Sequence, residues 1–71
     1  MDNQIRNNIR PGLKVLVVLK QHQPTGQLTE GIVKEILTNS HTHPRGIKVR
    51  LENGLVGRVQ KIVDEPKEYQ D

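Results

Sequence analysis

The chain has no cysteine, phenylalanine, tryptophan or alanine, and its one aromatic residue is Tyr69. Without cysteine there is no disulfide framework and no thiolate metal site, a composition suited to a reducing cytoplasm. With one aromatic, near the C-terminal end, there is no platform on which single-stranded bases could stack. Without alanine the best helix former is missing. Long apolar runs are absent too. The longest, residues 13–19, contains Lys14 and falls far short of the roughly 20 residues a membrane helix needs. The opening MDNQIRNNIRPG lacks the apolar segment of a secretory signal. A soluble, cytoplasmic module is the expectation.

What is present is aliphatic and β-branched. The 71 residues suffice for one small domain. Of 23 apolar residues, 21 are Val, Leu or Ile, and 14 are Val or Ile, the residues that favour strands. A chain this short buries only about 60% of its unfolded surface, so its core is one thin layer, which argues against a deep catalytic pocket. Glycine and proline recur at short intervals, at Pro11-Gly12, Pro24, Gly26, Gly31, Pro44, Gly46, Gly54 and Gly57. Short strands broken this often form a small barrel or sandwich. The expected fold is mainly β, a small barrel of about five short, largely antiparallel strands.

The net charge of +3 conceals an asymmetry. Residues 1–63 carry ten Lys and Arg against Asp2, Glu30, Glu35 and Glu52, a balance of +6, whereas residues 64–71 carry four acids against Lys67, a balance of −3. The division expected is a single barrel over residues 1–63, with 1–12 as an N-terminal segment, and an acidic tail over 64–71. A basic body with an acidic tail matches nucleic-acid-associated proteins, although ordinary solubility charge accounts for it equally well.

Local patterns sharpen the picture. Ile5 and Ile9 have helical spacing, with Asp2 placed to cap a short turn that Pro11-Gly12 would end. In residues 13–20, Val15, Val17 and Leu19 alternate with Lys14, Leu16, Val18 and Lys20, a strand expected to be covered on both sides. Residues 28–37 form a second strand. There Gly31, Val33 and Ile36 cannot share a face at period two without a bulge or bend near Lys34-Glu35. Polar loops occupy residues 21–27 and 38–46.

The segment IKVRLENGLVGRV, residues 47–59, reads as a hairpin with two competing registers. A two-residue Asn53-Gly54 turn would mix core and surface on one face. A three-residue Glu52-Asn53-Gly54 turn pairs Leu51 with Leu55, Val49 with Gly57 and Ile47 with Val59, leaving one face wholly apolar. Since a one-residue slip inverts every side chain, the hydrophobic pattern selects the second register. Gly54 should then have positive φ. In that register Lys48 stands opposite Arg58, with Arg50, Gln60 and Val56 on the same outer face. Like charges placed so are destabilising alone. Either an anion bridges them or the two side chains splay into water.

Other chemistry is incomplete. His41 and His43 lie two apart on a loop, but a zinc site needs three or four ligands, and His22 is the one further histidine. Solvated histidines are the simpler reading, adding positive charge to a loop edge at acidic pH. Ser40 has no local carboxylate to orient His41, and no glycine motif matches a phosphate loop. The sequence predicts no enzyme, metal or cofactor.

Two resemblances add to this. IRPGLKV, residues 9–15, and GIVKEILTNSHTHPRGIKVRLENGLVGRVQKI, residues 31–62, closely resemble the small bacterial YwbE-like family of uncharacterised proteins. That resemblance implies kinship and no activity. Pro11-Gly12 with Val15 and Val17, then Gly26, Gly31, Val33 and Ile36, resembles the KOW-type opening of SH3-like barrels. It implies an SH3-like barrel whose loops contact RNA or protein, and the added loop 38–46 departs from the minimal KOW pattern.

The leading expectation is a non-catalytic module that binds nucleic acid, structured RNA before DNA, through phosphates. The expected contacts are Arg45, Lys48, Arg50, Arg58 and Lys61, with His41 and His43 at the rim. The alternative is a protein-interaction adaptor or self-associating module using a sheet edge or the Leu16/Val18 face. A monomer or weak dimer is expected, with no membrane contact.

Overall fold

The computed structural model describes residues 3–63; the acidic tail, residues 64–71, lies outside them. Four strands form in chain order, β1 (Lys14–Leu19), β2 (Leu28–Ile36), β3 (Lys48–Leu51) and β4 (Val56–Ile62). Each pairs antiparallel with both neighbours, and β4 returns to β1, closing a barrel. Closure leaves the sheet without a free edge. Four strands stand among the described residues where about five were expected, and the N-terminal segment adds one isolated bridge, Ile5 to Thr42.

Two irregularities let so few strands curl shut. One is in β2, where the pairing to β3 shifts between Val33 and Glu35, at the bulge the Gly31/Val33/Ile36 pattern demands. The other is in β4, where the pairing to β1 shifts so that Lys61 faces Leu16 while Val59 faces Val17. Gln60 is the extra residue, and Gln60 and Lys61 are both exposed.

The core is wholly aliphatic. Val15, Val17, Val33, Ile47, Val49, Leu51 and Val59 are fully buried, with Ile9, Leu13, Leu19 and Ile62 closing the ends. No polar or charged side chain is buried among the described residues. At about 1.5–3 kcal/mol for each buried aliphatic side chain, this layer is the main favourable term. Small residues set its closest contacts. A Cβ on Gly31 would lie 2.5 Å from Leu51 Cδ1, and one on Gly57 would lie 2.7 Å from the Val18 carbonyl oxygen.

The hairpin adopts the three-residue register. Val49 faces Gly57, Lys48 faces Arg58 and Arg50 faces Val56; the Leu51 amide donates to the Leu55 carbonyl at 2.8 Å. Gly54 has φ +92°. Leu55 departs from the apolar inner face expected of it and is 40% exposed, because it precedes β4 at the turn, past the rim of the barrel. The outer face of β1 departs as well. Leu16 and Val18 are half-buried, since no second layer packs outside the barrel.

The N-terminal segment is a strap. Its 3₁₀ turn covers Arg6–Asn8, with Ile5 at the N-cap and no side-chain cap, and it gives way to extended backbone at Ile9. The turn therefore ends before Pro11-Gly12. The capping role expected of Asp2 falls outside the described residues. Ile5 does not share a helical face with Ile9; it bridges to Thr42 while Ile9 enters the core. Around that bridge the Arg6 amide donates to the His41 carbonyl at 2.8 Å, His43 N–H to Gln4 at 3.0 Å and Ile47 N–H to Asn3 at 3.1 Å.

Candidate nucleic-acid interface

The hairpin register places Lys48 on β3 and Arg58 on β4 as direct cross-strand partners on the outer face. One strand further, Arg58 faces Val18 of β1. Immediately after β1 the chain makes a 3₁₀ turn, Lys20–His22, which brings Lys20 and Gln23 over the end of the strand. The result is a cleft of about 350 Å³ lined by Val18, Lys20, Gln23, Lys48, Val56, Gly57 and Arg58. Its floor is aliphatic and three cations stand around it. A second depression of about 370 Å³ shares Val18 and Gln23 and continues past Gly26, Leu28 and Gln60.

The cations differ in their neutralisation. Arg50 is paired with Glu35 of the adjacent strand, and Lys14 with Glu30 at 3.4 Å. Lys20, Lys48 and Arg58 have no carboxylate partner among the described residues. Arg58 is held by one long hydrogen bond, Nη1 donating to the Gly46 carbonyl at 3.2 Å, which steadies the guanidinium beside Lys48.

The other expected residues lie elsewhere. Lys61 is exposed beside Leu16, past the β4 bulge, and does not line the cleft. Arg45 is exposed on the 38–46 loop, where its carbonyl accepts from Gln60 Nε2 at 3.0 Å. His41 is exposed in the same loop. His43 is half-buried, with Nδ1 accepting the Arg45 amide at 3.1 Å, so that nitrogen is engaged within its own loop. No group of three or more His, Cys, Asp or Glu side chains is placed to hold a metal among the described residues.

Gln23 is the cleft residue that the sequence did not single out, while Lys20, Val18 and Val56 stood outside the contacts expected for nucleic acid, Val18 on the face expected of an adaptor. The alternation of β1 already put Val18 and Lys20 on one face. Only the Val18–Arg58 pairing, between segments 40 residues apart, brings that face to the hairpin.

The family model described as "Uncharacterized conserved protein (DUF2196)" matches residues 2–62. The chain belongs to this family. It is 60% identical over 63 residues to "Uncharacterized protein YwbE" of Bacillus subtilis (strain 168), an alignment covering 89% of this chain and 97% of that protein. No solved structure matches. The match to the DUF2196 family takes in the whole barrel and every cleft residue. No helix among the described residues is long and apolar enough to cross a membrane.

Proposed function

We propose that this DUF2196 protein is a non-catalytic, cytoplasmic nucleic-acid-binding module that contacts structured RNA through its phosphates. The observation that carries this reading is the facing pair Lys48 and Arg58, joined by Lys20 at one cleft and left without carboxylate partners among the described residues. Two like charges held in register lower stability unless an anion offsets them, and a phosphate is the anion a rigid cationic wall suits best. Arg45 and Lys61 are exposed outside the cleft and add to the positive charge of the barrel, and His41 and His43 do not line the cleft. Arg50 contributes less, because Glu35 already neutralises it. The KOW-type opening supports the same reading by analogy of fold.

The test is fluorescence anisotropy with a labelled RNA hairpin across a salt series. Affinity should fall steeply between about 50 and 200 mM salt, and Arg58→Glu should abolish binding. Affinity indifferent to salt, or unchanged in Lys48→Glu/Arg58→Glu, overturns the reading.

A second reading, an adaptor or self-associating module, has one observation in its favour. Leu28 and Val63 are 42% and 37% exposed, and Leu16 and Val18 add half-buried apolar surface on the outside of β1. It requires a stable dimer in sedimentation or a partner that survives high salt.

A further inference from the structure

We infer, resting on the nucleic-acid reading above, that the cleft takes a single unstacked nucleotide of a structured RNA. Its phosphate lies between Lys48, Arg58 and Lys20, and its base lies against Val18 and Val56.

The shape of the site separates this from simple backbone contact. A continuous duplex presents regular phosphates and hides the faces of its bases, so it could satisfy the three cations while leaving the aliphatic floor wet. A nucleotide turned out of its helix offers a negative phosphate and an apolar ring in one unit, which is the combination the cleft presents. The volume of about 350 Å³ falls in the range of small-ligand sites. Missing aromatics do not exclude such a base, since extruded bases pack against aliphatic side chains as well as aromatic ones. Gln23 at the wall supplies an amide donor and an acceptor for a base edge. The floor is built in, because Gly57 brings β4 so near β1 that a Cβ there would collide with the Val18 carbonyl. The adjoining depression past Leu28 and Gln60 gives the strand an exit.

The experiment compares three probes against the full chain at one salt concentration. They are a labelled hairpin with an uninterrupted stem, the same hairpin with a one-nucleotide bulge, and adenosine monophosphate as competitor. The bulged RNA should bind at least about tenfold tighter than the uninterrupted stem, and only the bulged RNA should shift the methyl resonances of Val18 and Val56. Val56→Gln, with Val18→Gln as a second variant, should reduce affinity for the bulged RNA to that for the stem and leave the stem unaffected. Equal, salt-dependent affinity for both RNAs overturns this inference and leaves the phosphate reading standing. Failure of both RNAs to bind at low salt overturns the two together. Displacement of the bulged RNA by micromolar adenosine monophosphate overturns it in favour of a free nucleotide.

Discussion

Gly46 and Val59 meet so closely that a Cβ on Gly46 would overlap the Val59 carbonyl oxygen. Gly46 also has φ +101°, and its own carbonyl accepts from Arg58. It is therefore the point at which the 38–46 loop is pressed onto β4, and it sets the height of the Arg58 guanidinium. Gly46→Ala should destabilise by more than about 2 kcal/mol, since backbone strain and a clash with main chain act together. Gly54→Ala is the control. Its φ is +92° but nothing lies within 4 Å of the added Cβ, so about 1–2 kcal/mol is expected. Urea unfolding of the two variants measures the difference.

The Lys48–Arg58 pair predicts that stability and binding trade against each other. Lys48→Gln removes a cross-strand repulsion and should raise stability by a few tenths of a kcal/mol at low salt. Added salt should raise the melting temperature of the native chain more than that of the variant, because screening relieves the repulsion. In RNA binding the variant should be weaker, with the slope of log K against log salt reduced by about 1. A variant both less stable and equally tight in binding would contradict this.

Glu35→Gln should strengthen RNA binding. The Arg50–Glu35 pair is exposed, so breaking it changes stability by only about 0–1 kcal/mol, yet it releases a guanidinium close to the cleft. Arg50→Gln in the native background should leave affinity nearly unchanged. The two single variants, titrated against the same RNA, distinguish a neutralised cation from one already in use.

The strap should matter to stability more than its polar composition suggests. Asn3 Nδ2 donates to the Val59 carbonyl at 2.7 Å, and Arg6 Nε donates to the Thr38 carbonyl at 2.8 Å. Asn3→Ala should cost about 1 kcal/mol. Deleting residues 1–6 should cost several times that, since the backbone bonds to His41, His43 and Ile47 go as well. Hydrogen exchange in the 38–46 loop should accelerate in the deletion variant.

Much of the barrel was legible in the residues themselves. The hairpin register followed from the hydrophobic pattern, because its alternative buried charge. The β2 bulge followed from Gly31, Val33 and Ile36, which no regular strand could place on one face. The strap was not legible. Gln4, Ile5 and Arg6 engage the 38–46 loop, and Asn3 engages Ile47 and Val59, through hydrogen bonds accepted by main-chain carbonyls, and such pairing leaves almost no trace in side-chain pattern. For the same reason a helical spacing of Ile5 and Ile9 misrepresented a segment whose first isoleucine bridges a loop.

The site divides along the same line. Sequence alone determined the aliphatic core, the hairpin turn and the opposition of Lys48 to Arg58, because each follows from the alternation within single strands or within one hairpin. Tertiary structure alone decided which charges stay available. Closing β4 onto β1 set Val18 beside Arg58 and brought Lys20 to the hairpin, while pairing β2 with β3 gave Arg50 to Glu35. Electrostatic partnership depends on distance in space, and in this barrel that distance is set by strand closure between segments far apart in the chain.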